Sequence, residues 1–203
     1  MKFTKITALL LASLSLVACQ KDEEDTGSDA PEVTNEIAFN GTVFDVKNAL
    51  VIEYGTESVP YKSGDSVAFA AYNVMSIVLT DGDYIVGEDD TENDQFTFWL
   101  EIGQLESEGE HLQAGNIEPV ELDSTCACLP AKVRLTYISD KQAHYAGADG
   151  EWDTEDDLHE EINGNVKVEG SFPSYTISYS GSTKEGKIIS FSSDKFVVLS
   201  ATE

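Results

Sequence analysis

The sequence predicts an all-β protein: an antiparallel β-sandwich or barrel of about ten strands, with little or no helix outside its amino-terminal segment. Three observations carry this. From residue 36 onward the chain is a series of short runs rich in Val, Ile, Phe, Tyr and Thr, each closed by Gly, Asn, Asp or Ser. Apolar spacing of the helical kind is scarce over any dozen residues. The strongest runs alternate between apolar and polar residues, as strands with one buried face do, which favours antiparallel over parallel pairing.

The elements follow in order. Strands are expected at residues 37–44, 50–54, 67–72 and 74–79, where β-branched and aromatic residues dominate. The clearest run is 95–102, in which Phe96, Phe98, Leu100 and Ile102 fall on one face and Thr97, Trp99 and Glu101 on the other. A strand is expected at 117–122. Another is expected at 132–137, where Val133, Leu135 and Tyr137 face inward between charged neighbours. The carboxy-terminal third reads as a meander of 165–169, 175–179, 187–191 and 195–199, with Gly170, Pro173, Gly181, Gly186 and Ser192-Ser193-Asp194 as turns. Patterning does not choose between sandwich and barrel.

Charge limits the partners. The 203 residues hold 38 acidic against 12 basic side chains, a formal net charge of -26. Nucleic acid is held mainly by Lys and Arg neutralising phosphates, so it is excluded as an expected partner. Docking on anionic lipid through charge is disfavoured for the same reason.

The amino end gives an address. Lys2 and Lys5 precede an apolar run over residues 6–17, closed by Ala18-Cys19, which is the form of a secretory signal peptide. That run of about 12 residues is short of the roughly 20 a membrane-spanning helix needs. Its last four residues, Leu16-Val17-Ala18-Cys19, resemble the lipobox of bacterial lipoproteins. The resemblance implies cleavage before Cys19 and lipidation of its thiol, hence a membrane partner reached through a lipid anchor. Several acyl chains at about 0.8 kcal/mol per buried CH₂ hold such an anchor permanently. Gln20-Lys21-Asp22-Glu23-Glu24-Asp25 resembles the export signal of surface lipoproteins of the Bacteroidota, and a plain acidic tether accounts for the same residues. The expected organisation is a signal peptide at 1–18, a lipidated acidic tether at 19–35 and a single β domain at 36–203. The expected location is the outer membrane, facing the cell exterior, with its periplasmic face as the alternative. The closing meander is similar to that of small surface-exposed β lipoproteins of the Bacteroidota, a likeness that implies a fold and brings no activity.

Two acidic loops carry the remaining chemistry. The first spans residues 81–94 and the second 147–157. Crowded carboxylates raise one another's pKa unless a cation neutralises them, and Ca²⁺ takes six to eight oxygen ligands of this type. The order Gly147-Ala148-Asp149-Gly150 through Thr154-Glu155-Asp156-Asp157 resembles an Asp-Gly loop of extracellular bacterial proteins. That likeness makes Asp149, Asp153, Asp156 and Asp157 the expected calcium ligands. The EF-hand spacing fails, because Thr154 stands where its turn glycine belongs. Solvated loops that only keep the surface soluble explain the same residues.

With Cys19 lipidated, Cys126 and Cys128 remain, as a local disulfide or as two free thiols. Zinc or haem held by His144 and His159 is a further option, although their spacing matches no metal motif. Trp99, Trp152 and Tyr145 are candidate sugar-stacking aromatics. No Gly-x-Ser-x-Gly elbow, His-Glu-x-x-His helix or phosphate loop is present, so no catalytic residue is assigned and no enzyme is expected. The expectation is a non-catalytic binding, adhesion or structural module, with calcium-stabilised acidic loops as one reading of its charge and solvated loops as the other. Its competitor is a lipoprotein that captures haem, glycan or another nutrient beside an outer-membrane transporter.

Overall fold

The computed structural model describes residues 32–85, 90–123, 125–130, 136–147, 149–152, 154, 155 and 157–201. The expected signal peptide, Cys19, most of the tether, Val133, Leu135, Asp153 and Asp156 lie outside these residues.

The strands are β1 (Glu36–Phe39), β2 (Thr42–Asp45), β3 (Asn48–Ser63), β4 (Ser66–Thr80), β5 (Asp83–Ile85), β6 (Asp90–Glu92), β7 (Phe96–Leu105), β8 (Gly115–Ile117), β9 (Thr136–Tyr145), β10 (Leu158–Ser171), β11 (Ser174–Thr183), β12 (Ile188–Ser193) and β13 (Val197–Ser200). Apart from one 3₁₀ turn at Glu106–Glu108, no helix occurs among the described residues, and none is long and apolar enough to cross a membrane. The protein is all-β, as its alternation requires.

Eleven strands form one sheet in the order β13-β3-β4-β7-β9-β10-β11-β12-β1-β2, with β8 paired to β10, and β5 and β6 form a small separate hairpin. Every neighbouring pair is antiparallel except β13 with β3, which is parallel. The sheet curls because β10 serves two layers. Residues 158–161 pair with β9, while 162–171 pair with β11. The first layer is β13, β3, β4, β7, β9 and the start of β10. The second is the rest of β10 with β8, β11, β12, β1 and β2. Their inner faces meet in one core, where the Phe98 ring packs 4.7 Å from both Tyr179 and Phe191, and Phe96 lies 5.1 Å from Phe39. Such aromatic pairs are worth about 0.5–1.5 kcal/mol each beyond the area they bury. Phe96, Phe98, Leu100 and Ile102 are all fully buried, as their spacing predicts.

Several boundaries differ from expectation. The run 37–44 is two strands, because Asn40 and Gly41 both have positive φ (46° and 90°) and close a two-residue hairpin turn. The runs 67–72 and 74–79 are one strand, β4, paired along its length with β3 across a bulge between Glu53 and Gly55. Only Ile117 of the run 117–122 lies in a strand; Pro119 then makes a single bridge to Ile138. Tyr137 is buried, but on the far side of the first layer, since Ile138 takes the place in the main core.

That far side has its own apolar clusters. Leu50, Ile52 and Val78 pack there with Trp99 and Tyr84, and Tyr72, Tyr137 and Leu129 pack farther along the β3–β4 hairpin. Gly103 is what admits the second cluster. It is the direct partner of Tyr137, whose ring lies over it so closely that a Cβ at 103 would overlap ring carbons. Val120 and Leu129 cover this cluster from the segment after β8: Leu129 N donates to Pro60 O (2.9 Å) and Lys62 N donates to Leu129 O (3.0 Å). The structure joins Cys126 and Cys128 in the turn of this segment. Beside it, Asp123 accepts from Lys62 Nζ (2.6 Å) and from Thr125. The Lys62 ammonium and the Thr125 donors lower the Asp123 carboxyl to a pKa of about 2.

Candidate functional site

The two acidic loops lie far apart in sequence and together in space. The first links β4 to β7 and the second links β9 to β10. Since Phe96 and Leu158 both pair with Tyr145, the start of β7, the end of β9 and the start of β10 stand side by side. Ala146 N donates to Gln95 O (2.9 Å), and the Trp152 indole N–H donates to Asp94 O (2.9 Å), fastening the second loop onto the first.

The carboxylates here are built into the fold. Asp81 Oδ1 accepts from the backbone N–H groups of Gln95 and Phe96, both at 2.9 Å, and so fixes the entry into β7. Burial raises the Asp81 pKa; those two hydrogen bonds oppose the rise and the nearby Asp94 charge adds to it. Asp94 is only 5% exposed and accepts from the Thr97 hydroxyl (2.6 Å). In the second loop Asp149 accepts from Glu151 N (3.0 Å), and Asp157 accepts from Thr154 N (3.1 Å). Both therefore act as local turn caps. Among the described residues no group of three His, Cys, Asp or Glu side chains is placed to hold a metal ion. Asp153 and Asp156, the other two expected calcium ligands, are not among them.

Two histidines meet at the same end. His144 on β9 and His159 on β10 are direct cross-strand partners, with ring centroids 4.6 Å apart and edge to face. Trp152 packs 5.6 Å from His159. Burial, and then the neighbouring His159, lower the pKa of His144; Asp94 and Asp140 pull it the other way. The sequence offered both histidines without this pairing, because polar residues such as Ser139, Asp140, Lys141 and Gln142 hide the strand character of 138–145. His111 stands elsewhere, its ring stacked 3.7 Å from Phe172 and its Nδ1 3.0 Å from a Glu53 carboxylate oxygen.

A second feature lies on the outer face of the second layer. A shallow groove of about 520 Å³ runs over Ala38, Ser178, Ser180, Ser190 and Ser192, with Lys167 at one side. Alternation along β11 and β12 sends Tyr179 and Phe191 inward and these short side chains outward. Thr34 N and Asn35 N donate to Ser192 O, so the last residues expected as tether cross the end of this face. Ser192 is 4% exposed, and its Oγ has no hydrogen-bond partner among the described residues. A buried hydroxyl left without a partner costs on the order of 1–3 kcal/mol. No sequence signal marked this groove. Of the expected sugar-stacking aromatics, Trp99 is packed in the outer cluster of the first layer, Tyr145 against the main core and Trp152 over His159.

No family model matches the chain, and no curated protein or solved structure matches it.

Proposed function

We propose that the protein is a lipid-anchored, non-catalytic binding module of the outer membrane, held by Cys19 and facing the cell exterior. The observation that carries this is Leu16-Val17-Ala18-Cys19 at the end of an apolar run too short to span a bilayer, followed at once by an acidic segment. An anchor of several acyl chains leaves the β domain free of any membrane-binding duty. Radiolabelled palmitate should enter the wild-type protein and not Cys19→Ala, and protease added to intact cells should digest the domain. Labelling of Cys19→Ala would remove the anchor, and protection from protease would move the domain to the periplasmic face.

The alternative of ligand capture is favoured by the groove of the second layer. The Ser180 and Ser190 hydroxyls, on a surface of strongly negative net charge, suit a neutral, hydroxyl-rich ligand such as a glycan better than an anion. Calcium, held in the second loop through Asp149, Asp153, Asp156 and Asp157, belongs to the first reading, the lipid-anchored binding module, and not to the capture alternative. Extracellular calcium modules bind at about 10⁻⁴–10⁻³ M, so melts in about 1 mM CaCl₂ and in EDTA test it. Equal melting temperatures would remove calcium from the proposal.

A further inference from the structure

His144 on β9 and His159 on β10 stand directly opposite each other. Residues directly opposite on antiparallel strands have Cβ atoms about 4.5–5.5 Å apart, from which two imidazoles converge on an ion bound at about 2.0–2.1 Å from each nitrogen. The centroid separation of 4.6 Å agrees with that convergence.

Hydrogen bonding sets the form of His144. The Gln142 amide donates through Nε2 to Asp140 Oδ2 (2.8 Å), which turns its Oε1 toward His144 Nε2 at 3.0 Å. An amide oxygen only accepts, so His144 Nε2 carries the hydrogen and Nδ1 keeps the lone pair. Metal-binding histidines are oriented in this way, with the second ring nitrogen donating to a fixed acceptor.

We propose that His144 and His159 form a two-imidazole site for a divalent transition-metal ion of the Cu²⁺, Ni²⁺ and Zn²⁺ class, with water completing the coordination. Imidazole selects these ions over Ca²⁺ and Mg²⁺, and Cu²⁺ is held tightest of the three. The site is independent of the lipid anchor and of calcium in the second loop.

Titrating the protein with CuSO₄ and with NiCl₂, followed by calorimetry and visible absorption, tests it. One ion per chain is expected. Affinity should fall at least about tenfold in His144→Ala and in His159→Ala, and also in Gln142→Ala, where the orienting acceptor is lost. His111→Ala should bind as the wild type does. Because His159 is exposed, its variant keeps the test valid if His144→Ala folds poorly. Absence of binding, or unchanged affinity in His159→Ala, would overturn the proposal. The CaCl₂ melt reports the second loop separately and should be unaffected by His159→Ala.

Discussion

The two layers share an inner core and differ on their outer faces. The first layer is apolar on both sides: Met75, Ile77 and Leu79 of β4 enter the main core, while Tyr72 and Val78 of the same strand enter clusters behind it. The second layer keeps one apolar face, and the groove on its back is lined by Ala38 and serines with Glu36, Asn165 and Lys167 among them. An outer apolar face must be covered, and Val120, Leu129 and Tyr84 do so. An outer face of short polar side chains needs less cover: residues 34 and 35 cross the end of it at Ser192, and Ser180 and Ser190 stay accessible. A largely apolar run such as 74–79, broken only by Ser76, thus marks a strand covered on both sides and does not require parallel pairing.

The largest effect should come from the shared core. Phe98→Ala removes a ring that touches both layers and is expected to cost about 3–5 kcal/mol, read as a fall in the urea midpoint. Next is the covered outer face. Gly103→Ala pushes a methyl into the Tyr137 ring and should cost about 1–3 kcal/mol. Combined with Tyr137→Ala, the loss should be less than additive, since the second change removes the clash. Additive losses would show that the ring does not need the glycine.

At the acidic end, Asp81→Ala leaves two backbone donors without their acceptor and should cost about 1–3 kcal/mol, whereas Asp81→Asn keeps an acceptor oxygen. The raised Asp81 pKa means that the folded state holds this proton more tightly than the unfolded chain does. Ionised Asp81 therefore weighs against folding at neutral pH, and the relief given by Asn should be full there and vanish as pH falls below about 4. Asp123 has the opposite sign. With its pKa lowered to about 2, its contribution is present above the ordinary carboxylate value and is lost as pH falls toward 2. Chemical denaturation at pH 5 and at pH 2.5 should show a smaller acid loss in Asp123→Asn than in the wild type. The smallest effect belongs to the bare face, where Ser190→Ala should shift stability by less than about 0.5 kcal/mol. A large loss there would mean that this face is covered as well.

Much of this was legible in the sequence. Alternation fixed the inward residues of β7, and the strand-rich composition fixed an all-β fold. The sequence misplaced boundaries where two local signals competed. Asn40-Gly41 marks a turn inside an apolar run, and the polar residues of β9 and the start of β10 conceal strands whose pairing comes from distant partners. The acidic loops were visible as composition, but their meeting was not, nor was the pairing of His144 with His159 across β9 and β10. Local chemistry determines which residues can form a strand and which face is apolar, because side chains alternate with a period of two. Which strands become neighbours is decided by closing one core between two layers. That closure brought together loops separated by more than fifty residues and left Ser180 and Ser190 accessible on the back of the second layer.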